Sequence, residues 1–256
     1  MLGTNSLKAK LAGNEVVFGM LNSVPTPVVI EMLACAGYDF VLLDTEHVLH
    51  GDENLAHCIR AAESAGITPL VRVADANPAV IGRLLDAGAQ GIVVSRVTDV
   101  DTARLAIAAS KYPPLGHRGI SGGRNTGFGT LPLADYITLA NRETFVGLMI
   151  EDPQGLAALG DMLQLGHIDM IFEGALDLSL AMGHGIDFGH AQVQQSLQDM
   201  AEHCARARVP FCAIPRLPGQ KPKWQRQGVN AFLVGEDRGL IFKQFKQQLQ
   251  NLIHEK

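Results

Sequence analysis

Residues 68–95 read TPLVRVADANPAVIGRLLDAGAQGIVVS, and three patterns follow one another in that stretch. Thr68 to Val73 and Gly91 to Ser95 are nearly continuous apolar runs, as in parallel strands covered on both faces rather than a sheet wetted on one. Between them, Pro78 to Ala87 carries apolar residues at helical spacing. Its proline stands at an early helical position, where the missing N–H costs least, and Gly88 follows where C-terminal glycines belong. The segment reads as a strand, a crossover helix and a parallel second strand.

Outward from this unit the alternation repeats. Strands are predicted at Val16 to Leu21, Asp39 to Leu43, Thr68 to Val73, Gly91 to Ser95, Phe145 to Ile150, Asp169 to Phe172, Pro210 to Ile214 and Ala231 to Gly235. Helices are predicted at Pro27 to Ala36, Glu53 to Ser64, Pro78 to Ala87, Asp101 to Lys111, Gly155 to Leu163, Ala191 to Arg208 and Gly239 to Leu252. Such a pattern also fits a doubly wound open sheet, but eight strands with no glycine-rich dinucleotide turn after the first favour closure. The fold class is therefore α/β, a (β/α)8 TIM barrel. The length of 256 residues matches the roughly 250 of one such barrel, so residues 1–256 are read as a single domain.

Composition narrows the function. A hydrophobic content of 47% with 18% charged residues supplies a core, yet no window approaches the ~20 apolar residues of a membrane span. The opening MLGTNSLKAKLAGNE lacks the apolar stretch of a secretory signal, which points to the cytoplasm. Cys35, Cys58, Cys204 and Cys212 form no C-x-x-C pair, so buried free thiols are expected rather than a zinc site or disulfides. A net charge of -5 with scattered basic residues argues against nucleic acid and for small-molecule partners. The glycine-rich stretch from Tyr112 to about Leu133, with His117, Arg118 and Arg124, exceeds ordinary loop length and is read as an active-site or interface segment. Lys221, Lys223 and Arg226 near Trp224 read as a solvated helix face.

Barrel enzymes work at the C-terminal ends of their strands. There the chain places Asp44, Thr45, Glu46 and His47, then Arg72 inside an apolar strand, then Glu151 and Asp152, then Glu173 to Asp177. A guanidinium at position 72 needs an anionic partner. An oxo-acid carboxylate suits it, and so does a salt bridge to Asp44. Glu151 and Asp177, predicted at the ends of consecutive strands, offer paired oxygens to a hard cation such as Mg2+, or pair with Arg72 and bind no metal. His47 is either a proton-transfer group oriented by Asp44 or simply solvated.

LLDTEH, LVRV, LLDAGAQGIVV, KYPPLGHRG, the Ile-Glu strand end and the DLS-containing segment ending in Met-Gly, in that order, resemble the HpcH/HpaI aldolase family over nearly the whole chain. The resemblance implies a barrel whose final helix often packs into a neighbouring subunit, in a homo-oligomer expected to be a hexamer. It also implies that Glu151 and Asp177 hold Mg2+ or Mn2+, that Arg72 binds the oxo-acid carboxylate, and that amides near Gly174 and Ala175 help grip it. His47, supported by Asp44, would move protons, and Asp86 would lie behind the site or at an interface.

Two departures from the aldolase pattern matter. Met149 stands where a glutamine is usual, and EGALDLS replaces the usual approach to the metal-binding aspartate. GHRGISGGRNTGFG, LMIED and EGALDLS look more like a branch that makes citrate for carboxylate siderophores from oxaloacetate and acetyl-CoA, without a required metal. A citrate synthase is therefore the first expectation, with acetyl-CoA as co-substrate. The alternative is a divalent-metal-dependent class II aldolase releasing pyruvate from a hydroxy-oxo acid.

Overall fold

The computed structural model describes residues 3–254. Eight parallel strands, β1 (Val17–Asn22), β2 (Phe40–Asp44), β3 (Thr68–Val73), β4 (Gly91–Val94), β5 (Phe145–Ile150), β6 (Met170–Glu173), β7 (Phe211–Ala213) and β8 (Ala231–Glu236), close in sequence order into a barrel. The main surrounding helices are α2 (Pro27–Cys35), α3 (Asp52–Ala65), α4 (Pro78–Ala87), α5 (Val100–Ser110), α7 (Pro153–Gln164), α9 (Ala191–Ala207) and α11 (Asp237–His254). The fold class and all eight expected strands are found, with ends shifted by a residue or two.

Period two explains the two cores. In β5 all six residues are buried; Phe145 and Met149 point into the barrel with Leu42, Leu70, Val93 and Phe172, while Val146, Leu148 and Ile150 pack outward against helices. The interior admits rings where a neighbouring strand omits a side chain. A Cβ at Gly19 would lie 2.1 Å from the Phe40 ring, which also meets Phe172 edge-on at 6.3 Å. In α4, Asn77 caps the start by accepting N–H bonds from Ala79 and Val80, and Gly88 ends it at φ 111°; a cap of this kind contributes about 1 kcal/mol.

Four helices fall outside the expected set: α1 (Ser6–Ala12), α6 (Leu133–Glu143), α8 (Ala175–Ala181) and α10 (Gln220–Arg226). Three of them have seven residues, too few for a helical period to stand out. α1 closes the N-terminal end of the barrel. Leu7 is fully buried there, Asn5 donates its backbone N–H to Glu143, and Lys8 pairs with Asp169.

The glycine-rich segment lies at that same end, because a chain leaving the C-terminus of α5 has already travelled back down the barrel. Arg118 donates to Asp86 at 2.7 Å and to the Tyr136 hydroxyl at 3.2 Å, and its guanidinium stacks over Tyr112. Asn125 joins the same carboxylate and hydroxyl, and Lys111 donates to the carbonyls of Asn141 and Thr144. The segment therefore does not cover the mouth of its own barrel, and Asp86 stands at the far end from Arg72. Among the described residues no helix is long and apolar enough to cross a membrane. All four cysteines are free; three are buried and Cys35 is exposed.

Candidate active site at the barrel mouth

Asp44 and Arg72 occupy one register row of adjacent strands, both facing the interior where their strands open to solvent. Arg72 donates from Nε to Asp44 Oδ1 at 3.0 Å and from Nη2 to Oδ2 at 2.8 Å. Its Nη1 lies 3.2 Å from Glu46 Oε2 and 4.0 Å from the Met149 sulfur. Burial alone would raise the Asp44 carboxyl, but the hydrogen bonds and charge of Arg72, with the amides of His47 and Glu46, take it below the ordinary range. Burial likewise works against the Arg72 cation, and Asp44, Glu46 and Glu151 more than offset it. Of five guanidinium N–H groups, three face these carboxylates, so a substrate carboxylate meets a cation that is fixed but already shared.

Asp44 does not orient the His47 ring. Its Oδ1 accepts the backbone N–H groups of Glu46 and His47, while the imidazole is exposed with Nε2 3.7 Å from Glu46 Oε2. The same Glu46 oxygen accepts the Ser95 hydroxyl at 2.6 Å. Glu46 thus lies between the proton-transfer candidate and Arg72.

Glu151 follows β5 and is 5% exposed. Oε1 accepts the Arg96 backbone N–H at 2.9 Å. Burial, then the negative charges of Asp177 and Glu46, push its carboxyl up to about 7, against the pull of the Arg96 amide and Arg72. Asp177 belongs to the first turn of α8, not to a strand end, and its negative charge is among those that raise Glu151. The two carboxylates by themselves offer part of a hard cation's shell. Among the described residues no three His, Cys, Asp or Glu side chains gather as metal ligands. A hard ion there would need oxygens from a chelating substrate.

The amides of Gly174 and Ala175 are engaged within the chain. Gly174 donates to the Ile150 carbonyl and Ala175 to Glu173 Oε2, so neither is free to grip a substrate. The position matters for another reason: a Cβ at Gly174 would lie 2.3 Å from Glu151 Oε2. Glu173 does not line the mouth. It is 1% exposed and accepts from Ala175, from the Ile214 backbone at 2.8 Å, and from Arg216 Nη1 at 2.8 and 3.0 Å. Arg216 was not marked in the sequence, for it follows the shortest strand by three residues. Arg216→Ala is expected to cost about 2–3 kcal/mol by leaving a buried carboxylate with amides alone. Denaturant unfolding checks this; an unchanged midpoint would show that the tie across β6 and β7 contributes nothing.

A barrel whose mouth sets a fixed guanidinium against a cluster of carboxylates, one of them poised near neutrality, has the parts for enolate chemistry on an oxo acid. Residues 18–230 match the HpcH/HpaI aldolase/citrate lyase family, and the chain belongs to it. It is 41% identical to the citrate synthase SbnG, covering 97% of both chains with a TM-score of 0.90. An HpcH/HpaI aldolase from Desulfitobacterium hafniense DCB-2 superposes with a TM-score of 0.92 at 26% identity, covering 98% of this chain and 97% of that one. The 5-keto-4-deoxy-D-glucarate aldolase of Escherichia coli K12 is 30% identical over 246 residues, 96% of this chain and 95% of that protein. The chain is an enzyme that forms or cleaves a carbon–carbon bond.

Proposed function

We propose that this enzyme condenses oxaloacetate with acetyl-CoA and water to give citrate and CoA, supplying citrate for a carboxylate siderophore. The observation that carries the reading is the placement of Glu151, a buried carboxyl bonded to the Arg96 amide, on the same rim as the fixed cation of Arg72; burial and the charges of Asp177 and Glu46 raise its proton affinity. Arg72, steadied by Asp44, orients the carboxylate beside the keto group. Glu151 takes a proton from the thioester methyl, the enolate carbon attacks the keto carbon, and the alkoxide takes up a proton, for which His47 is the exposed donor beside Glu46. Water then splits the citryl thioester and CoA leaves as the thiol.

The likeness to SbnG supports this reading, and the likeness to the glucarate aldolase supports a second, in which Mg2+ or Mn2+ held by Glu151, Asp177 and a chelating pyruvate unit serves a hydroxy-oxo acid aldolase. Enzyme stripped with a chelator and mixed with oxaloacetate and acetyl-CoA is expected to release CoA thiol at its full rate. Absence of thiol, together with metal-stimulated exchange of pyruvate methyl protons, would move the assignment to the aldolase. A homo-oligomer, with a hexamer expected, is part of the proposal. It is supported by α11, which leaves Leu240, Phe242, Phe245, Leu249, Leu252 and Ile253 exposed beside an apolar cleft at Met32 and Tyr38.

A further inference from the structure

Arg96 stands two residues past the end of β4, between the strand that carries Arg72 and the one that leads into Glu151. The chain is pinned on both sides of it: Ser95 donates to the Val73 carbonyl at 3.0 Å and Val97 to that of Met149 at 3.2 Å. Between these ties Arg96 adopts φ 51°, the left-handed region that residues with a side chain rarely enter. Strain of this kind persists where the surroundings impose it and gathers at functional sites. Here it aims the Arg96 amide at Glu151 and leaves the side chain exposed on the rim.

The other arginines of this end are committed. Arg72 faces Asp44 and Glu46, Arg216 faces Glu173 and Arg238 faces Glu236. The Arg96 guanidinium has no hydrogen-bond or ion-pair partner among the described residues. A diacid entering this mouth brings two negative charges to a rim already lined by Asp44, Glu46, Glu151 and Asp177. Arg72 answers one of them at most, because two carboxylates already share its charge. An uncommitted guanidinium on the residue whose backbone amide holds the base is the available counter-charge for the second.

We propose that Arg96 binds the carboxylate of oxaloacetate that is remote from the keto group, and is the residue by which the enzyme tells an oxo diacid from pyruvate. The assignment rests on the citrate-forming reading. Its role is in substrate binding, so its loss falls on affinity before turnover.

Arg96→Asn tests it, since asparagine tolerates the left-handed backbone and keeps the amide that faces Glu151. Calorimetric titration of chelator-treated wild type and variant with oxaloacetate, and separately with pyruvate, is the measurement. Oxaloacetate is expected to bind the variant about 30-fold more weakly while pyruvate changes less than about twofold. Arg96→Lys should recover most of the oxaloacetate affinity, and the Asn variant should show a raised KM with kcat nearly kept. Equal weakening of both acids, or no weakening of either, overturns the role of Arg96 alone. Wild type that fails to bind oxaloacetate removes the citrate-forming reading and this assignment with it.

Discussion

Arg72→Met is expected to lower kcat/KM by about 10³-fold and, separately, to destabilise the fold by about 3–5 kcal/mol. The first loss comes from the missing grip on the oxo acid. The second comes from Asp44, 2% exposed, which would keep two amide donors and lose its cation. The pH dependence tells the causes apart. With Arg72 present the folded Asp44 carboxyl lies below its ordinary value, so its contribution is present at neutral pH and fades as pH falls through that depressed value. Without Arg72, burial dominates and the folded value rises above the unfolded one. The stability deficit of the variant should then shrink on acidification from neutral pH toward the ordinary carboxyl value near 4. Denaturant melts across that range measure it, and a deficit independent of pH would mean that lost packing, not the stranded carboxylate, is the cause. Replacing Asp44 with leucine in the same chain should restore much of the stability and none of the turnover.

Glu151→Gln is expected to reduce kcat by about 10³-fold while the protein folds at least as well as wild type. The amide removes the proton acceptor, yet its oxygen still accepts from Arg96 and the burial cost of a charge disappears. In wild type the folded carboxyl is raised to about 7, so its contribution to stability is complete below the unfolded value near 4.5 and is lost as pH rises through 7. The base form works in the opposite sense: kcat/KM should climb with pH and level off above about 7. The glutamine variant should lose both dependences, the climb in its residual rate and the decline in its melts. A variant that keeps the same climb would assign the titrating group elsewhere on the rim.

The strand core and the inward residues Asp44, Arg72 and Glu151 were legible because their directions follow from period two along regular strands. Residues in the turns beyond were not. Glu46 reaches Arg72, and Ser95 reaches Glu46, through loops whose paths depend on tertiary contacts, and Arg96 turns left-handed, which no local pattern in SRV announces. Asp177 looked like a strand terminus because α8 begins at Ala175, with only Gly174 between it and the end of β6. Glu173 drew notice as the first residue of EGALDLS, but its partner Arg216 lies beyond another strand end, and that pairing exists only once β6 and β7 lie side by side. The glycine-rich segment was placed by its length alone. Its position between the end of α5 and the start of β5, with α6 following it, assigns it to the opposite end of the barrel, a rule of chain direction that its composition obscures.

Gly174 shapes the acid–base group by what it lacks. Because the peptide there presents bare backbone to Glu151, the carboxylate rests against it and loses water on that side. Any larger residue at 174 would pry the acid toward solvent, where a thirstier, more acidic carboxylate makes a weaker base. Such a swap would blunt the catalyst while leaving every ionisable group in place. The working pH of this enzyme is therefore set by the wall behind the acid as well as by neighbouring charges such as Asp177 and Glu46.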